Sequence, residues 1–228
     1  MRLGLVGAGV GLGVAVLWVM APSRASASTA RASSHTNAGG RIDVRALAEQ
    51  AGLPPEWGDF FTMVAHTESG GGNPTAVNDS AREAAKSAEG YARIADRFAS
   101  CGHPDDAYTW GSGGLFGHMP AFAFTQFKDG RCLAPDRILE PEVAMAAAVG
   151  FANGLMRWPG YKSEPTWLNL RAMWGAPGKG GDEQYLTARR PDYERHAKAV
   201  GLPVSFLDQT PPALRATGDE VLERFGVL

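Results

Sequence analysis

The chain has 228 residues, 44% of them hydrophobic, and a formal net charge of −2. That suits one domain of ordinary size with tails. A balance so near neutral argues against nucleic acid as a partner, because phosphate binding needs a basic face. With 29 glycines and 15 prolines, short elements joined by many loops are expected rather than a long rod.

Arg2 is followed by an uncharged run from Leu3 to Met20. Its length is that of a marginal membrane span, and its character is that of a secretory signal's apolar region. Ala25-Ser26-Ala27 is a triplet at which a signal peptidase could cut. Gly4, Gly7, Gly9, Gly11 and Gly13 add little apolar surface and weaken the span reading. Residues 1–27 are therefore read as either a signal peptide or a membrane anchor. Both place the chain at the cell envelope: exported, then periplasmic or membrane-anchored, with the N-terminal segment able to contact membrane. Residues 28–40 continue a Ser-, Ala-, Thr- and Gly-rich stretch that opens at Pro22, and read as a flexible linker.

Folded structure is expected from Arg41. Asp43 can cap a helix that runs through Gln50 and stops at Gly52. Pro54-Pro55 opens a second helix, with Trp57, Phe60, Phe61 and Val64 at helical spacing and glycines 70 to 72 at its end. A third helical pattern covers 80–99, followed by a loop from Cys101 through Gly114. A short helix is predicted from Pro120 to Phe127, and a strong alanine-rich one from Glu140 to Trp158. Further helices are predicted at 165–174, at 182–200 with an interruption at Pro191, and from Pro211 to Phe225. No strand alternation is evident. The class expected is all-α, mostly helical. Residues 41–205 are taken as one domain and residues 206–228 as a C-terminal helical extension. Cys101 and Cys132 are the two cysteines; in an exported chain they form either one disulfide or two unrelated buried thiols.

Several chemistries can be set aside. His66 and Glu68 form H-x-E, but neither cysteine stands in the P-C-x-x-C context that a zinc deaminase needs. There is no H-E-x-x-H, no G-x-S-x-G and no Walker loop. Neither a metal nor a cofactor is expected.

Glu68 is the residue at which local physics becomes informative. Val64 and Phe61 lie four and seven positions before it, on one helix face. That face is apolar, so the carboxyl should point toward the core or a cleft beside it. Burial disfavours the charged form, and the negative end of the helix dipole does so further. A carboxyl kept protonated near neutral pH is what a general acid requires.

Three segments carry a resemblance. The run from Thr67 through Val77 (TESGGGNPTAV) resembles the E-S-G/x-x-x-P-x-A signature of lytic transglycosylases and goose-type lysozymes. Gly113 through Pro120 (GGLFGHMP) is similar to the family's G-L-M-Q-x-M-P segment, and Arg171 through Gly178 (RAMWGAPG) to its A-A-Y-N-A-G-P segment. The family glutamine is Gly117 here, the tyrosine Trp174 and the asparagine Gly175; the third segment is one residue short. The resemblance implies a lysozyme-like single domain that cleaves peptidoglycan at the MurNAc-GlcNAc bond. Glu68 would be the acid, and Ser69 would orient it. His118, Met119, Trp174 and Trp110 would line the glycan site, with Tyr108 a further stacking candidate. In lytic transglycosylases the sugar's own 6-hydroxyl closes a 1,6-anhydro ring, so one carboxyl suffices. A muramidase usually needs a second. Asp79, Glu83, Asp105 and Asp106 are candidates for it, none of them outstanding. The alternative is a non-catalytic lysozyme-like module that binds peptidoglycan or belongs to a phage particle or secretion apparatus.

Overall fold

The computed structural model describes residues 40–78, 99, 111–124, 127 and 133–227. The N-terminal hydrophobic segment, the linker up to residue 39, nearly all of the predicted 80–99 helix, both cysteines and Trp110 lie outside them. Among the described residues the chain is mostly helical, as the sequence predicts. No helix among them is long and apolar enough to cross a membrane.

Helix α1 spans Val44–Gln50, and the Asp43 carboxylate caps it by accepting from the Ala46 N–H at 3.1 Å. Helix α2 spans Pro55–Glu68, with proline at its first position, where no intrahelical donor is lost. Its apolar stripe includes Trp57, Phe60, Phe61 and Val64, all fully buried. These rings pack into one aromatic body. Phe60 stacks on Trp167 at 5.0 Å between centroids, and Trp167 stacks on Phe206 at 5.1 Å.

Two short strands, β1 (Val77–Asn78) and β2 (Ser112–Gly113), pair antiparallel, with Val77 opposite Gly113. The sequence gives no alternation signal for them because each is only two residues long. The predicted Pro120–Phe127 helix is shorter than expected: α3 covers Pro120–Ala123. A 3-10 turn, Pro135–Leu139, leads into α4, Pro141–Met156. This alanine-rich helix is buried on nearly every side. Its small side chains allow close approach, and a Cβ on Gly218 would lie 2.7 Å from the Ala146 carbonyl oxygen.

Helix α5, Trp167–Gly175, starts at a capping box in which Thr166 and Asn169 satisfy each other's backbone N–H groups. Helix α6, Glu183–Ala199, runs straight through Pro191, which the sequence reading had as an interruption. Proline removes one helical hydrogen bond. Ion pairs flank the gap: Arg190 reaches Glu194 at 2.8 Å and Asp208 at 2.7 Å.

The C-terminal helix is also shorter than predicted. Helix α7 covers Gly218–Arg224 and begins at a capping box between Thr217 and Glu220. Pro211-Pro212 keeps the preceding stretch out of the helix. The C-terminal segment shares the core of the domain rather than standing apart. Val221 and Leu222 are fully buried, the Trp57 indole N–H donates to the Pro212 carbonyl at 3.0 Å, and Arg224 donates to the Ala51 carbonyl.

The segment after β2 passes through a narrow space. Gly114 has φ +71°, and a Cβ there would overlap the Ile138 carbonyl oxygen. Gly114→Ala combines left-handed strain, about 1–2 kcal/mol, with a backbone clash. It should lower unfolding free energy by about 3 kcal/mol or more. Gly178 also has positive φ, but a Cβ there meets nothing within 4 Å. Gly178→Ala should cost only about 1 kcal/mol. Chemical denaturation of the two variants tests the difference.

Candidate active site

Glu68 is the last residue of α2, and the turn beyond it is firmly tied. The Ser69 hydroxyl donates to the Ala65 carbonyl at 2.8 Å and accepts from the Gly72 N–H at 3.2 Å. The Gly72 carbonyl accepts from the Ile42 N–H at 2.9 Å, which anchors the turn to the chain entering α1. Ser69 is thus placed as a helix C-terminal cap, its hydrogen bonds made to backbone groups.

The Glu68 carboxyl lies between two other segments. Its Oε1 accepts from Arg171 Nη2 on α5 at 2.9 Å, and the same nitrogen donates to the Thr67 hydroxyl at 2.9 Å. Opposite, the Gly117 backbone covers it: a Cβ on Gly117, which has φ +62°, would lie 3.1 Å from both Glu68 Cβ and Oε2. A Cβ at that position would press on the carboxyl, which would have to give by a few tenths of an ångström. The Glu68 side chain is 17% exposed and that of Arg171 7%. Burial raises the Glu68 pKa, while the charge and hydrogen bond of Arg171 pull it down; burial prevails and the net shift is upward. Sequence reasoning anticipated the direction and the role of burial.

Arg171 itself was not singled out, although it stands in one of the quoted segments. It is a charged residue in an apolar helical stretch, between Leu170 and Ala172, and that was the available signal. Its guanidinium carbon lies 5.3 Å from the centroid of the buried Tyr193 ring on α6. Burial pushes the Tyr193 hydroxyl pKa up. His196, one turn further along α6, has its pKa lowered to about 4, by burial first and then by the charge of Arg171. Its ring lies 6.0 Å from that of His66. A concavity of about 340 Å³ adjoins the same glycine turn, lined by Arg41, Thr62, Ala65, His66 and Gly72 among others. Glu68 is not among its lining residues.

The remaining sequence candidates are placed as follows. Trp174 is 8% exposed, and its indole N–H donates to the Phe116 carbonyl at 3.2 Å. Its ring meets Phe60, Phe61, Phe116, His118 and Phe151. It is therefore a core residue joining the second and third segments, with little face left for a sugar. His118 is 7% exposed, 4.9 Å from Trp174 and 5.2 Å from Phe151. Neither of its ring nitrogens has a hydrogen-bond partner among the described residues. Met119 packs half-buried against the core and is the residue just before α3. Trp110, Tyr108, Asp79, Glu83, Asp105 and Asp106 lie outside the described residues. Among the described residues no cluster of His, Cys, Asp and Glu could hold a metal ion. The chain matches no protein-family model, and comparisons with curated proteins and with solved structures find no match either.

Burial lowers the His118 pKa from 6.5 to about 3. The folded protein holds this imidazole neutral, while the unfolded chain takes up its proton near pH 6.5. Acidification from 6.5 toward 3 therefore favours unfolding, by up to about 1.4 kcal/mol per pH unit. His118→Phe removes both this dependence and two unpaired buried nitrogens. Unfolding free energies at pH 7 and pH 5 should fall closer together in this variant than in the parent. His196 contributes a residual slope of the same sign.

Proposed function

We propose that this chain cleaves the glycan strands of peptidoglycan at the MurNAc-GlcNAc bond, as a lytic transglycosylase, with Glu68 as general acid and then base. One observation carries the reading. The three segments that resemble the family are far apart in sequence, yet they meet around one buried carboxyl. Glu68 belongs to the first. Gly117, from the second, lies against it, and Arg171, from the third, is bonded to it. Trp174 ties the third segment to the second through Phe116. Chance likeness in three short runs gives no reason for such convergence.

The chemistry suits the environment. A carboxyl with a raised pKa retains its proton to higher pH and can deliver it to the glycosidic oxygen as positive charge develops on the sugar. Closure by the sugar's own 6-hydroxyl then needs no second carboxylate. Among the described residues Arg171 is the charged group bonded to Glu68, and no acid is paired with it.

A second reading draws on the same ion pair. A buried Glu68–Arg171 bridge can hold α2 to α5 in a module that binds cell wall without turnover.

The parent should release anhydro-muropeptides from purified peptidoglycan, read by mass spectrometry. Glu68→Gln should lower the rate at least about 10²-fold. Reducing ends in place of anhydro ends would make the chain a muramidase. A folded parent that binds wall and releases neither product would establish the binding module.

A further inference from the structure

We propose that Arg171 is a positioning residue for Glu68: its guanidinium holds Oε1 and leaves Oε2, beside Gly117, as the oxygen that gives and takes the proton. This rests on the proposed cleavage and assigns one further residue of that same site.

The two carboxyl oxygens are not equivalent. Oε1 is bonded to Arg171 Nη2 at 2.9 Å, and Oε2 lies 3.1 Å from where a Gly117 Cβ would sit. Arginine does not deprotonate in proteins, so it takes no part in the proton transfer itself. Its Nη2 is held at two points, while Nε is buried without a hydrogen-bond partner among the described residues. Nη2 also bonds Thr67, the residue adjoining Glu68, and the guanidinium lies beside the Tyr193 ring. Thr67 is in turn fixed, its hydroxyl donating to the Val64 carbonyl at 2.7 Å. The charge of Arg171 is thus supported from two elements, and it can remain beside Glu68 in either protonation state.

In the proposed reaction the proton leaves Oε2 for the glycosidic oxygen, and the electron pair of the breaking C1–O bond goes to that oxygen. The 6-hydroxyl oxygen bonds C1, and its proton returns to Oε2. Between the two transfers Glu68 is ionised. The bond from Arg171 is then charge-assisted and stronger. It keeps the carboxylate in the orientation that accepts the second proton.

The test is steady-state cleavage of purified glycan strands from pH 4 to 9, beginning with the parent and Glu68→Gln. Arg171→Lys keeps a cation but loses the planar fork. It should lower kcat about 10²-fold, leave KM within about twofold, and move the basic limb of kcat/KM to higher pH. The limb moves upward because Arg171 holds the Glu68 pKa down and a more weakly placed cation does so less. A purely structural role would reduce the amount of folded enzyme and leave the limb of the folded fraction where it is. The neighbouring titratable groups are His66, His118, Tyr193 and His196. A His66→Gln control identifies any limb that belongs to the histidine two residues before Glu68. Should Arg171→Lys fail to fold, Thr67→Val replaces it, removing the second anchor of Nη2 at constant shape. It should lower kcat several-fold at unchanged KM. An active parent whose folded Arg171→Lys, or Thr67→Val in its place, keeps the parental kcat and limb overturns this inference alone. A folded parent that yields no product overturns the cleavage reading beneath it.

Discussion

The contact on which the site depends is the bond between Glu68 and Arg171, 2.9 Å long and 103 residues apart in sequence. Two charges taken largely out of water cost several kcal/mol each, and their attraction offsets this only when geometry is good. On the arginine side one nitrogen serves two oxygens and a tyrosine ring lies beside the cation, while Nε is buried without a hydrogen-bond partner among the described residues. On the glutamate side burial still prevails, since the net shift of its pKa is upward. The pair therefore joins α2 to α5 without making Glu68 a strong, permanently ionised acid. In the proposed reading, a structural ion pair and a proton donor can share one carboxyl because each uses a different oxygen.

Backbone threading makes that arrangement possible. The chain from Gly113 to Gly117 passes between Ala76, Ile138 and Glu68, and at three of these positions a Cβ would crowd a neighbour. Gly114 donates its N–H to the Ala76 carbonyl at 2.9 Å, and Gly113 to the His118 carbonyl at 3.0 Å. The same threading carries Phe116 and His118 into the aromatic body around Trp174. Gly117, which stands where the family pattern has glutamine, then has a steric reason of its own. In this packing a Cβ at position 117 would crowd the Glu68 carboxyl, and the positive φ there disfavours one as well.

Much of the fold was legible because the signals were local. The Asp43 cap, the prolines opening α2 and the alanine-rich α4 act within a few residues of the elements they define. The misses were set by context. Pro191 alone predicts a break, yet α6 is continuous there, with Arg190 paired to Glu194 within the helix and to Asp208 outside it. The apolar pattern before α7 looked helical, but Pro211-Pro212 and the Thr217 capping box hold that stretch out. At the site, the burial of Glu68 followed from its own helix face. Arg171 did not, because its partner is 103 residues away and a single arginine in an apolar run has no fixed meaning. Trp174 illustrates the opposite error: aromatic chemistry suited a sugar platform, but only packing shows its ring already surrounded.

This burial also bears on mechanism. With Trp174 in the core and His118 enclosed beside it, neither offers the glycan an open ring face or an exposed nitrogen. A wall glycan can be held along its length by its repeating sugars, while the reacting bond needs one well-oriented proton donor. In the proposed reading, an acid fixed through one oxygen, with no second acid paired with it among the described residues, would meet that need. The 6-hydroxyl supplied by the sugar takes the place of the positioned water that a two-carboxylate hydrolase must hold. Under the proposed cleavage, the arrangement around Glu68 would suit the route in which the substrate provides its own nucleophile.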